Sequence, residues 1–147
     1  MDDTLIRMLK LGQQGYTCSQ IIILLLLEVR GETNPDLVRA MGGLAYGCGS
    51  GRGTCGTLTA GCCSLALYAG KGSAEESPSD RLDLMLQELN DWFCEYTGCA
   101  SHDMSCDTIV GEAGPAASRQ RCGAIVAETY AKVMEILSSN GIDPFNL

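Results

Sequence analysis

Cysteine dominates the chemistry available to this chain. Nine of the 147 residues are cysteines: Cys18, Cys48, Cys55, Cys62, Cys63, Cys94, Cys99, Cys106 and Cys122. A cysteine thiolate is both a metal ligand and a redox nucleophile. In a reducing compartment this usage indicates metal binding or redox chemistry rather than a disulfide framework, and an odd number of cysteines cannot pair completely. The competing interpretation is simple packing, because free cysteine is a small hydrophobe that is often buried.

Three cysteines directly follow a residue that favours the N-cap position of a helix. The pairs are Thr17 with Cys18, Thr54 with Cys55, and Ser105 with Cys106. Apolar residues follow at helical spacing, so these thiols should face the core at the starts of their helices. Cys122 lies on the apolar stripe of the last predicted helix. The predicted metal or cofactor ligands are therefore the four-cysteine set: Cys18, Cys55, Cys106 and Cys122.

The chemistry expected of this set depends on thiolates. A helix N-terminus can lower the pKa of a thiol from about 8.5 to as little as about 3.5–7.5. We therefore expect lowered pKa values for the thiols at helix starts. An iron–sulfur cluster used for electron transfer or redox sensing is the leading hypothesis, with zinc or no metal as alternatives. A second hypothesis is a thiol–disulfide oxidoreductase with Cys55 as the catalytic thiolate, and a third is a structural or interaction module with packing cysteines.

A second grouping of cysteines competes for Cys106. The stretch "CEYTGCASHDMSC" places Cys94, Cys99, His102 and Cys106 within thirteen residues, which suggests a separate zinc-like site. His102 is the only histidine, and the simpler interpretation is an exposed loop side chain. The sequence contains neither a C-x-x-C pair nor the C-x-x-C-H motif of covalent haem attachment. Cys48 is a candidate exchanging thiol.

The glycine loop, residues 47–56, reads "GCGSGRGTCG". Its last six residues match the G-x-G-x-x-G dinucleotide fingerprint, but that fingerprint requires a preceding strand and a βαβ unit. A predicted helix and a loop precede it here. We interpret the glycines as bending the chain so that Cys55 and Gly56 enter a helix, with loop amides turned toward sulfur. Such N–H groups would stabilise the negative charge of a cluster.

The surrounding elements are predicted to be helical throughout. Hydrophobic residues make up 46% of the chain, with only two Phe and one Trp, so aliphatic side chains must fill the core. Helical spacing and cap residues predict helices that begin near residues 2, 17, 34, 54, 77, 105 and 115, with a linker-like loop at 71–80. We expect a single all-α domain, residues 1–147, built as a bundle of about six or seven helices.

Charge and hydropathy limit the partners. The net charge of −8 disfavours nucleic acid and anionic membrane surfaces. The apolar run "IIILLLL" is far too short to span a bilayer, and the first residues lack the pattern of a signal peptide. We expect a cytoplasmic protein with a redox protein as partner. An acidic surface and short helices would suit a homodimer.

Three features together resemble a known family. They are "YTCSQ" before a long apolar helix, then "GCGSGRGTCGTLTAG", then isolated cysteines in the last third of the chain. This pattern resembles the C-GCAxxG-C-C family of small, helical, redox-active proteins, which is related to a domain of split-Soret-type cytochromes. The resemblance covers about residues 12–135. It implies functional roles for the four-cysteine set and for Gly56.

Overall fold

The computed structural model describes residues 2–111 and 115–146, and for residues 115–119 it describes the backbone only. The helices are α1 (Asp3–Gln13), α2 (Cys18–Arg30), α3 (Pro35–Met41), α4 (Ala45–Cys48), α5 (Gly56–Ala69), α6 (Leu82–Thr97), α7 (Cys106–Val110) and α8 (Pro115–Ser139). Within these described residues, seven of the eight helices match predicted ones, and the four-residue helix α4 was not predicted. Among the described residues we find no β-strand, only one isolated bridge between Thr54 and Ser105. The all-α prediction is confirmed.

Local sequence signals set the ends of several helices. Thr17 is the extended N-cap of α2, and its backbone N–H donates to the Gln20 side chain at 3.1 Å. Gly31 ends the same helix with a φ of 69°. The Asn34 side chain caps α3, whose first residue is Pro35. These caps are the ones that the sequence predicts.

Helix α5 is the centre of the bundle and packs against α2, α6 and α8. Small residues allow its backbone to approach its neighbours closely, and Ala60 and Ser64 are both fully buried. The Ser64 hydroxyl donates to the Ala60 carbonyl at 2.8 Å, so burial leaves it satisfied.

Two apolar clusters meet along α5. The first joins α5, α6 and α8 through Leu58, Leu65, Met85, Leu89, Phe93, Val133, Ile136 and Leu137. The second joins α1, α2 and α3 around Leu11, Ile22, Ile23, Leu25, Val38 and Met41. Cys55 belongs to the first cluster, whereas Cys18 packs against the second. The start of α5 and the start of α2 therefore bring thiols from both clusters to one region.

The apolar run at residues 21–27 lies inside α2 and is almost wholly buried, with Leu24 half-buried. Within residues 2–111 and 115–146, no helix is both long enough and apolar enough to cross a membrane.

Candidate functional site

Two members of the four-cysteine set begin helices. Cys18 is the first residue of α2 and Cys106 the first residue of α7. The Ser105 side chain accepts a hydrogen bond from the Thr108 backbone N–H at 3.3 Å, which makes it the predicted N-cap of α7. The prediction that Thr54 is the N-cap of α5 and Cys55 its first helical residue is wrong, because Cys55 itself occupies the N-cap position.

Thr54 does not cap α5 because it forms the bridge with Ser105. Next to this bridge, the Cys55 N–H donates to the Met104 carbonyl at 2.8 Å. The Cys106 N–H donates to the Gly53 carbonyl at 3.0 Å. The bridge therefore holds Cys55 and Cys106 on adjacent backbone segments, although fifty residues separate them in sequence.

Close backbone contacts fold the glycine loop onto itself. The Gly53 N–H donates to the Gly47 carbonyl at 3.2 Å, and a Cβ on either residue would lie 2.6 Å from the other's carbonyl oxygen. Gly47 also has a φ of +60°, which side-chain-bearing residues rarely adopt. A Cβ on Gly56 would lie 2.7 Å from the Leu44 carbonyl oxygen. Gly56 thus permits the close approach that starts α5 beside the loop.

The expectation that glycine-loop amides point toward sulfur is wrong for most of them. The N–H groups of Gly49, Gly51, Gly53 and Cys55 donate to the carbonyls of Ala45, Tyr46, Gly47 and Met104. These four amides are therefore hydrogen-bonded within the protein and do not point toward a thiol.

Two residues that sequence reasoning missed influence a thiol of the set. The Thr57 side chain and the backbone at Tyr46 both lower the pKa of Cys18. Tyr46 has a left-handed φ of 57°, and Thr57 is only 2% exposed, in the first turn of α5. A threonine just inside a helix start carries no distinctive sequence signal, so only the fold reveals this role.

The predicted lowering of thiol pKa values is wrong for Cys18 and Cys106. Burial raises the pKa of Cys18 above its ordinary value, and the hydrogen bond from Thr57 offsets only part of this. Burial, followed by the charges of three other thiols and of Asp107, raises the pKa of Cys106 from 9.0 to about 11. Desolvation and like-charge repulsion therefore outweigh the helix N-terminus at these two positions.

The causes of these pKa shifts show that the four thiols are neighbours. The charges of Cys55, Cys122 and Cys18 each raise the pKa of Cys106. The charges of Cys18 and Cys55 raise the pKa of Cys122, after burial, while Arg121 lowers it. Cys55 also raises the pKa of Cys18. Every pair within the four-cysteine set is thus close enough for each thiolate to disfavour the other.

Electrostatic proximity is a weaker condition than shared coordination. Among the residues that the structure describes, no three Cys, His, Asp or Glu side chains are placed to hold one metal ion together. The four thiols therefore gather in one region without lying inside the coordination sphere of a single ion.

The alternative zinc-like site is wrong. Cys94 and Cys99 form a disulfide at the end of α6. His102 is exposed with a left-handed φ of 58°, and Cys106 lies with the four-cysteine set instead. The sequence leaves the roles of Cys94 and Cys99 open, and the structure pairs the two in a disulfide.

The remaining free cysteines, Cys48, Cys62 and Cys63, differ in their exposure. Cys62 is half-buried, and the Asn90 side-chain amide donates to its sulfur at 3.6 Å. Cys63 and Cys48 are exposed. Burial raises the pKa of both Cys62 and Cys63. Cys48 keeps its candidate role as an exchanging thiol, a role that no contact of the described residues tests.

Comparison with known proteins gives one match. A family described as "Putative redox-active protein (C_GCAxxG_C_C)" matches residues 16–136, a span that contains the whole four-cysteine set. Neither a curated protein nor a solved structure matches the chain. Because the family match covers most of the sequence, the resemblance predicted from the cysteine pattern is confirmed, and the chain belongs to the C_GCAxxG_C_C family.

Proposed function

We propose that the four-cysteine set holds an iron–sulfur cluster and that the protein serves electron transfer or redox sensing with a redox protein as partner. The observation that carries this proposal is the mutual effect of the four thiols on one another's pKa. Four thiolates in one region repel each other, and bound cationic iron would relieve that repulsion. Thiolate ligands select iron–sulfur clusters, zinc and other soft metals.

We favour a cluster over a single zinc ion as the group that these thiols would hold. A zinc ion holds each sulfur at about 2.3 Å, which requires four thiols in one tight tetrahedron. A cluster contains several iron and sulfide atoms, so its ligands can stand further apart. The support for a cluster is the chemistry of four thiols that lie within electrostatic range of one another.

The chain's own residues would prepare and tune this site. A bound cluster would supply one-electron chemistry. The Thr57 side chain and the backbone at Tyr46 lower the pKa of Cys18 and so favour negative charge on its sulfur. Because the pKa values of Cys18, Cys106 and Cys122 are raised, protons must leave these thiols when metal binds. Metal affinity should therefore increase with pH through the neutral and mildly alkaline range.

Anaerobic purification tests the proposal. The expected result is a coloured protein that contains iron and acid-labile sulfide in comparable amounts, with little zinc. Cys55→Ser and Cys122→Ser should lose most of the iron, whereas Cys62→Ser, a half-buried cysteine outside the set, should keep it. A colourless wild-type protein without iron or sulfide, and with freely titrating thiols, would rule the proposal out.

The oxidoreductase hypothesis has less support. Cys55 is only 8% exposed, which gives an external disulfide little access to its sulfur. The raised pKa values of its neighbours Cys18 and Cys106 leave few thiolates at neutral pH to exchange with it. If Cys55→Ser abolished a fast thiol reaction near neutral pH, this hypothesis would replace the cluster.

A further inference from the structure

A short segment, residues 98–104, connects the Cys94–Cys99 disulfide to the four-cysteine set. At one end, the disulfide ties the segment to α6, and the Cys99 N–H donates to the Cys94 carbonyl at 2.9 Å. At the other end, the Met104 carbonyl accepts the hydrogen bond of the Cys55 N–H. The segment therefore links a reducible bond to the backbone that positions Cys55.

The middle of the 98–104 segment is held in an unfavourable conformation. Ser101 and His102 are consecutive non-glycine residues with left-handed φ values of 54° and 58°. Both are exposed, so packing does not impose this conformation on them. Such backbone persists only where the surrounding structure fixes both ends.

Besides the Met104 carbonyl, Asp103 also anchors this end of the segment. Its carboxylate accepts hydrogen bonds from the Ser105 N–H at 3.1 Å and from the Thr108 hydroxyl at 2.7 Å. These bonds tie the segment to the first turn of α7, where Cys106 lies. The segment is therefore joined to α6 at one end and to the start of α7, beside Cys106, at the other.

We propose that the Cys94–Cys99 disulfide is a redox switch that sets the position of Cys55 relative to Cys106. While the bond is intact, the segment holds Met104 against Cys55. When the bond is cleaved, Ser101 and His102 relax and the Met104–Cys55 hydrogen bond loosens. Any effect of this movement on cluster binding rests on the proposed function, whereas the mechanical coupling between the disulfide and Cys55 does not.

The switching step is a two-electron reduction. An external dithiol gives two electrons and two protons, the Sγ–Sγ bond of Cys94 and Cys99 breaks, and two thiols form. The dithiol becomes a disulfide in the same exchange, so atoms and electrons balance.

Native-state hydrogen exchange of the Cys55 and Cys106 amides tests the switch. Anaerobic metal-free protein is compared before and after treatment with dithiothreitol. We expect reduction to lower the protection of both amides by about tenfold, or about 1.4 kcal/mol of local stability. Equal protection in the oxidised and reduced protein would overturn the proposal.

Variants identify the bond that responds. The double variant Cys94→Ser with Cys99→Ser should show low protection from the start and no response to dithiothreitol. Cys63→Ser, which removes an exposed free thiol, should respond like the wild type. A double variant that still responds to the dithiol would overturn the proposal, because another cysteine would then be the cause.

Two controls keep the outcome interpretable. The amide of Val133, in the buried part of α8, should keep its protection throughout, which shows that the fold persists. If the double variant does not fold, the wild-type comparison still decides. If the metal-free protein responds to dithiothreitol but the purified protein contains no iron, the switch is retained and the proposed function is lost. If the purified protein contains iron but the metal-free protein does not respond, the proposed function is retained and the switch is lost.

Discussion

Cys106 and Cys62 are both half-buried thiols whose pKa is raised first by burial, yet their surroundings differ. The further causes at Cys106 are three thiols from other parts of the chain and one carboxylate. The further influences at Cys62 are a hydrogen bond from Asn90, which lowers the pKa, and its chain neighbour Cys63. Burial alone therefore does not distinguish a candidate ligand from a packing cysteine, whereas the groups around each thiol do.

The difference originates in the backbone around each residue. Cys62 lies inside the regular helix α5, where its position follows from helical geometry. Cys106 is held by a hydrogen bond to Gly53, in a loop whose own shape depends on close glycine contacts. Changes in the glycine loop should therefore affect Cys106 and spare Cys62.

The largest effect is expected from Gly47→Ala. The added Cβ would lie 2.6 Å from the Gly53 carbonyl oxygen, at a φ of +60°, and should lower the free energy of unfolding by about 3 kcal/mol. Gly43→Ala is the matched control, because its Cβ would meet no atom within 4 Å. Urea unfolding of the metal-free proteins measures both. Similar unfolding free energies for the two variants would contradict the role given to the loop.

Alkaline pH should destabilise the metal-free protein. Because the pKa of Cys106 rises from 9.0 to about 11 on folding, the folded state retains a proton that the unfolded state loses. This contribution is fully present below about pH 9 and is lost as the pH rises through about 11. Urea unfolding at pH 8, 9 and 10 should show a falling free energy. The fall should be smaller in Cys106→Ser, and an equal fall would assign it to other groups.

Crossed substitutions should separate the two thiols. Cys122→Ser removes a charge that raises the pKa of Cys106, so that pKa should fall while the pKa of Cys62 stays unchanged. Cys63→Ser should do the reverse and lower only the pKa of Cys62. The pH dependence of alkylation, followed at each cysteine by mass spectrometry, measures both. If both substitutions shifted both thiols, the two sites would not be independent.

Local signals predicted most helices and three of their caps, because Thr17, Asn34 and Ser105 act on residues three positions away. The bridge between Thr54 and Ser105 joins residues 51 positions apart, and this pairing leaves no local pattern. The lowered thiol pKa values were a local expectation too. They failed because burial and the other thiols, which are tertiary effects, outweigh the helix start.

The same reasoning explains what was right and wrong about the cysteines. Helical spacing selected the four-cysteine set, and the structure brings these thiols within electrostatic range of each other. Their role as ligands stays a prediction. Spacing also grouped Cys94, Cys99 and His102, but proximity in sequence cannot tell a disulfide from a metal site.

The smallest effect is expected from Thr57→Val, which removes the hydroxyl that lowers the pKa of the Cys18 thiol. Because threonine and valine have nearly the same shape, the change should cost about 1 kcal/mol of unfolding free energy. It should also raise the pKa of Cys18, an effect that packing alone would not produce. Thr59→Val is the matched control, since the Thr59 hydroxyl bonds the carbonyls of Cys55 and Gly56 rather than a thiol. Alkylation of Cys18 that responds equally to both variants would show that Thr57 acts only through packing.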